Sequence, residues 1–369
     1  MKQILSLTMV FTAALSAAPP RRAVPSAPFP PCASVSGSPG VTFSRDGGRT
    51  LAPVDQPLTG VAYTYGLAAL DTRTLLSAHN TTLARSTDAG CSWQVLGELP
   101  FSDLATITAA GSTRAYLWAD NRDSLASYDN GQVTTLKPPV AIVGLGVDRA
   151  MPDHVRIGGD DGTLWDSTDA GASWSQLGRL ALTGPVLFYR VAFDPANLDH
   201  LVYGSSGAGA HVSFDAGRTF TQATNLGNNF NAFSLQVSPA DPNTVWAEGI
   251  NMAESDANVP SHGRHIFLSR DGGRSFTPVL DEQPGLQLVN GATIAAHPTD
   301  PNVLYFVFGT YFQAYGTDLF RYDAAAKALR VAHFDYDDID SIAFSPADPN
   351  VMYFGLESVK RGPGFLPAQ

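Results

Sequence analysis

Cleaving a glycosidic bond takes two carboxyl groups about 5–9 Å apart, one acting on the leaving oxygen and one on the sugar or on water. The chain has only five glutamates: Glu98, Glu248, Glu254, Glu282 and Glu357. Glu248 and Glu254 flank the start of the longest loop, GINMAESDANVPSHGRH (249–265). Glu248 with an aspartate such as Asp256 is the pair from which such a site could be assembled. A second acidic group, DYDDID, holds Asp335, Asp337, Asp338 and Asp340. Oxygens this close could ligate calcium, but no glycine stands at the sharp-turn position, so a solvated acidic loop is the better reading. His262 and His265 have a His-x-x-His spacing too common to imply a metal. Neither a Gly-x-Ser-x-Gly elbow nor a His-Glu-x-x-His helix occurs. No catalytic residue, metal or cofactor is therefore expected.

Composition narrows the partners. The 369 residues carry 23 Lys and Arg against 34 Asp and Glu, a net charge of −11. A nucleic-acid partner is excluded, because phosphate binding needs clustered positive charge. Hydrophobic residues are 44% and charged residues 15%, enough to build an ordered core. The 34 glycines and 26 prolines point to many turns. After Lys2 the run ILSLTMVFTAALSAA reads as a signal peptide over 1–18, cleaved near Ser16 to Ala18. An uncleaved anchor is the alternative, since Pro19 sits awkwardly beside that site. Residues 19–31 form a proline-rich linker, and the folded domain spans 32–369. No later stretch approaches a membrane span, so the mature chain should be secreted or periplasmic, soluble and monomeric. Export permits a disulfide. Cys32 and Cys91 are predicted to pair, with two unpaired thiols as the alternative because sequence does not give their distance.

The elements that must hold any site are read from repeats. Ser-x-Asp-x-Gly-x-x-(Phe/Trp) recurs at Ser44–Leu51 (ending in Leu), Ser86–Trp93, Ser167–Trp174, Ser213–Phe220 and Ser269–Phe276. Degenerate copies lie at Ser127–Val133 and Arg321–Leu329. The central aspartates are Asp46, Asp88, Asp129, Asp169, Asp215, Asp271 and Asp323, spaced by 42, 41, 40, 46, 56 and 52 residues. Interleaved with them are seven pairs of short apolar strands around turns, four of the Pro/Asp/Asn kind, such as LQVSPADPNTVWAE (235–248) and IAFSPADPNVMYFG (342–355). Two hairpins per unit make four strands, and seven such units make an all-β, seven-bladed β-propeller. The chain starts with a box hairpin and ends with an inner hairpin, so the two termini should share one composite blade that removes the free sheet edges.

The repeat resembles the Asp-box, or bacterial neuraminidase repeat, of the sialidase-like β-propellers. That superfamily includes sialidases, xyloglucanase-type glycoside hydrolases, sortilin-like receptors, photosystem assembly factors and non-catalytic secreted proteins. The resemblance implies that the boxes are structural turns on the face opposite the ligand face. It also implies a secreted protease as the specific partner.

The sialidase pattern is incomplete. The Phe/Tyr-Arg-Ile-Pro motif is absent, and six of 19 arginines (Arg45, Arg49, Arg218, Arg270, Arg274 and Arg321) lie within boxes on the wrong face. Arg122, Arg190 and Arg264 could reach the channel, but nothing in the sequence gathers them. Four lysines and the acidic balance disfavour the basic patch of the photosystem factors. The candidate ligand face comprises Phe230, Phe233, Glu248, Arg264, Tyr311, Phe312 and Tyr315. Its aromatics could stack on a glycan or anchor a protein, or simply cover the channel. Non-catalytic binding of an extracellular protein or glycan is the leading expectation. A glycoside hydrolase using channel carboxylates is the alternative.

Overall fold

The computed structural model describes residues 29–58, 60–227 and 229–359. The expected signal peptide (1–18), most of the expected linker (19–28) and the last ten residues lie outside that set. The described chain forms six four-stranded antiparallel sheets and one three-stranded sheet, the blades of a propeller. Blade 1 is Gly66–Ala69, Leu75–His79, Thr82–Ser86 and Gln94–Glu98; blades 2 to 6 repeat that meander in chain order. Among the described residues, helix is confined to Met252–Asp256 and a single 3-10 turn at Phe312–Ala314.

Burial follows position in the blade. The second strand of blade 5, Val245–Asn251, is buried along its whole length, because other blades cover both of its faces. The outermost strand of blade 1, Gln94–Glu98, is almost wholly exposed. Inner strands therefore read as continuous apolar runs rather than alternating ones. Seven hydrophobic clusters occur among the described residues, each joining two neighbouring blades. One of them packs Trp246, Ile266 and Leu268 of blade 5 against Leu304, Phe306 and Phe320 of blade 6. The core is thus a ring of interfaces.

The repeated aspartates act as turn carboxylates. In blade 3 the Asp169 Oδ1 accepts from Ser167 Oγ at 2.8 Å and from the Ser173 N–H at 2.9 Å. Ser173 Oγ donates to its other oxygen at 2.6 Å. The Gly171 N–H donates to Ser167 Oγ at 2.8 Å. Ala170 and Gly171 take φ of 61° and 87°, the left-handed region in which glycine costs least. The boxes at Asp46, Asp88, Asp215 and Asp271 repeat this network. These hydrogen bonds pull the carboxyls of Asp169 and Asp215 down to about 2. The degenerate copies use other partners: Asp129 takes Arg114 Nη2 at 2.8 Å, and Asp323 takes the N–H groups of Ala325 and Ala326.

A second bond explains why the two repeats travel together. In all seven blades the residue after the box aspartate donates its N–H to a carbonyl of the inner hairpin turn. The pairs are Gly47–Asn350, Ala89–Arg73, Asn130–Thr113, Ala170–Asp153, Ala216–Asp199, Gly272–Asn243 and Ala324–Asn302. Boxes and inner turns therefore share one face of the ring.

The termini share blade 7. Val41–Ser44 pairs with Met352–Glu357, Val41 opposite Gly355, and Asp338–Phe344 lies inside them. Three strands of this blade are regular. The fourth position is held by an irregular stretch in which the Ala52 N–H donates to the Phe43 carbonyl and Val54 bridges Val35. Pro53 within that stretch has no N–H to give to a ladder. The seam to blade 1 is reinforced by a bridge from Ser36 to Ser92 and by the Cys32–Cys91 disulfide, with Cα atoms 5.6 Å apart.

Candidate functional site: the channel mouth and its rim

The innermost strands of the blades enclose a channel of about 520 Å³ on the ring axis. Its wall mixes apolar residues such as Leu67, Ile107, Val191 and Leu235 with polar ones such as Thr106, Ser234 and Gln236. Charge enters at Asp340 and Arg190. The mouth is built by the connections between blades and by the loops after each second strand, opposite the boxes.

Around that mouth stand exposed apolar side chains: Tyr65 and Leu104 on two connections, Leu187 on a third, and Tyr311, Phe312 and Tyr315 in the blade 6 loop. Phe312 is 60% exposed. Tyr315 is fixed from beneath, its hydroxyl donating to Asp318 Oδ2 at 2.6 Å and its ring lying edge-on to Phe308 and His333. Tyr63 stacks on Tyr65 with ring centroids 6.1 Å apart, and Tyr311 lies close enough to act on the Tyr63 phenol electrostatically. These residues form one aromatic arc across the joint between blades 6, 7 and 1.

Beneath the arc lie the carboxyls of the DYDDID segment. The Thr64 N–H donates to Asp340 Oδ2 at 2.6 Å, and Ser341 Oγ donates to the Thr64 carbonyl at 2.6 Å. Burial pushes Asp340 and Glu357 up; for Asp340 the neighbouring Glu357 and Asp338 charges add to it. Burial raises Asp338 to about 6. The expectation of a solvated acidic loop is thus corrected at Asp338 and Asp340, which the composite blade draws under its own strands. Among the described residues no group of three or more His, Cys, Asp or Glu is arranged to hold a metal.

The other sequence candidates separate. Phe230 is only 1% exposed and packs edge-to-face on Phe267, so it belongs to the core and not to the ligand face. Phe233 is half-buried against Tyr189, centroids 4.6 Å apart. Glu248 is fully buried. It accepts from the Gly291 N–H at 3.2 Å, its second oxygen has no hydrogen-bond partner, and burial raises it to about 8. Asp256 is exposed at the end of its helix while Glu248 is sealed within its strand, and neither is among the residues lining the channel. Arg264 is engaged with Glu282 and Asn290. Arg190 lies 3.8 Å from Asp120 at the channel, and Arg122 lines a neighbouring cavity with Tyr65 and Leu104. No arginine triad forms from these three. His262 pairs with Glu282, and His265 sits between Asp281 and Glu254.

Sequence reasoning missed Tyr63, Tyr65, Leu104 and Leu187. Each lies in the short connection preceding an innermost strand. The repeat phase could have marked that connection as rim.

No family model matches the chain. Among curated proteins, the dispase autolysis-inducing protein of Streptomyces mobaraensis is 48% identical over 337 residues, covering 90% of each chain. The chain belongs to the dispase autolysis-inducing protein family. Solved propellers match its fold. A GH74 enzyme from Niastella koreensis aligns with a TM-score of 0.57 at 16% identity, over 81% of this chain and 52% of that one. An ancestral GH74 enzyme gives 0.55 at 13%, over 82% and 45%. The chain spans about half the length of these GH74 structures. YCF48, solved bound to a D1 peptide, gives 0.53 at 12%, over 83% of this chain and 94% of that one. At such identities these likenesses concern the fold alone.

Proposed function

We propose that this chain is an exported propeller that binds a secreted protease through the channel-mouth face and promotes that protease's autolysis. The aromatic arc carries the reading. Exposed Tyr65, Tyr311, Phe312 and Tyr315 converge on one face of a rigid ring, and large exposed aromatics of this kind anchor protein partners. The kinship with a protein named for inducing dispase autolysis supplies the partner class. A signal-like N-terminus and the Cys32–Cys91 disulfide support export. No helix among the described residues is long and apolar enough to cross a membrane.

The test is to incubate dispase with the mature chain and follow loss of the intact protease. Loss should accelerate with the native chain and fall back toward the protease-alone rate with a Tyr311→Ser/Phe312→Ser variant. Equal acceleration by both would refute the assignment to this face.

One observation favours a second reading. Burial raises the proton affinity of the neighbouring carboxyls Asp340 and Glu357, the setting from which a glycosidase acid is made. Turnover of a xyloglucan or aryl-glycoside panel that is lost in Asp340→Asn would establish it; no turnover leaves the binding reading alone.

A further inference from the structure

The box face carries a second cavity, of about 420 Å³, at the seam of blades 6 and 7. Four arginines line it, Arg45, Arg49, Arg321 and Arg330, with Tyr305 and Asn350. The carboxylates in its wall are Asp46 and Asp348. Four guanidinium groups against two carboxylates is a local excess of positive charge in a chain whose net charge is −11.

Register produces this excess. Tyr305, Arg321 and Arg330 stand directly opposite one another on three adjacent strands of blade 6. Like charges facing each other across a strand pair destabilise the pair unless something lies between them. The carboxylates at hand are already engaged. Asp46 accepts from Ser44, from the N–H groups of Arg49 and Thr50, and from the Thr50 hydroxyl. Asp348 accepts from the backbone and side chain of Asn350. Asp323 reaches Arg321 only at 3.9 Å while capping its own turn.

The cations differ in how far they are committed. Arg45 is used by the Pro30 and Cys32 carbonyls and lies over the Phe43 ring. Arg330 gives one N–H to the Gly47 carbonyl. Arg49 has no ion pair among the described residues, and its side chain is exposed. Burial and the Arg49 and Arg321 charges press the Arg330 guanidinium toward its neutral form, against the opposing pull of Tyr305 and Asp46.

We propose that this pocket is a binding site for a phosphate- or sulfate-type oxyanion, held by Arg49, Arg321 and Arg330. Guanidinium forks match tetrahedral oxyanions in both shape and charge. The volume exceeds that of a bare ion, so there is room for a small molecule bearing the group. The site lies on the opposite face from the aromatic arc and is independent of the protease reading.

Calorimetric titration of the mature chain at constant ionic strength tests it, with inorganic phosphate, sulfate and acetate as separate arms. Saturable binding of phosphate or sulfate is expected, weakened about ten-fold or more in Arg321→Gln and in Arg49→Gln, as loss of a charged hydrogen bond requires. Arg190→Gln, on the other face, should bind as the native chain does. Arg49 is exposed, so its variant keeps the test intact if Arg321→Gln does not fold. A sugar phosphate binding more tightly than inorganic phosphate would assign the site to an organic ester; the reverse order would assign it to the free ion. Absence of saturable binding, equal binding in Arg49→Gln, or acetate bound as well as phosphate would overturn the proposal.

Discussion

At the scale of single residues, the box serine is the most consequential small group. Ser167 Oγ both donates to Asp169 and accepts the buried N–H of Gly171. Ser167→Ala leaves that N–H without a partner and should cost about 1–3 kcal/mol, read from the urea midpoint. Glu248 gives a pH signature. Its folded value of about 8 lies above its ordinary 4.5, so the native state holds a proton that the unfolded chain releases. Stability from this group is full below pH 4.5 and is lost as pH rises toward 8. Glu248→Gln cannot titrate, so its urea midpoint should decline less between pH 5 and pH 8 than that of the native protein. Half-buried Asp338 and buried Asp340, both raised by burial, retain a slope of the same sign in both proteins. The box aspartates have the opposite sign. Asp169 and Asp215, held near 2, contribute above the ordinary carboxylate range and lose that contribution as pH falls from about 4 to about 2.

At the scale of elements, the joint between blade 7 and blade 1 is where the ring is fastened. Pairing of Val41–Ser44 with Met352–Glu357 brings residues from opposite ends of the chain together, and the disulfide closes a further span of 59 residues. Chain entropy for a loop of that length predicts a loss of about 4 kcal/mol in a Cys32→Ser/Cys91→Ser variant, measured as a shift in the denaturation midpoint. Gly355 marks how tightly the composite strand packs. A Cβ there would lie 2.2 Å from the Thr64 carbonyl oxygen and 2.2 Å from Ser341 Oγ. Gly355→Ala must displace backbone and should destabilise this blade more than the same change at Gly60, around which a Cβ meets nothing within 4 Å. Gly60 has φ of 81°, so strain in its own backbone is the whole of its cost.

At the scale of the molecule, the sequence was most legible where it repeats. Each box needs a serine, an aspartate and a left-handed residue at fixed spacing, and each inner turn must meet it, so both leave a periodic trace. The composite closure follows from the order of the two hairpin types. The rim is written differently. Tyr63 and Tyr311 belong to loops with no common length, and only the ring brings them within electrostatic reach of one another. Phe230 shows the converse failure. An aromatic in a polar-looking loop read as rim, yet it begins the innermost strand of blade 5 and turns into the core. Glu248 likewise read as rim because it stands beside the longest loop, yet its strand is buried along its whole length. The blade 6 arginines escaped notice because Arg330 lies outside any box, and only the strand register sets it opposite Arg321.

The central claim is that the channel-mouth face receives a secreted protease. Hydrogen exchange of the mature chain, with and without an inactivated dispase, tests it most directly. Slowed exchange is expected in segments 61–66 and 309–318, with the seven box turns unchanged. Protection confined to the box turns, or none at protease concentrations that accelerate autolysis, would contradict it.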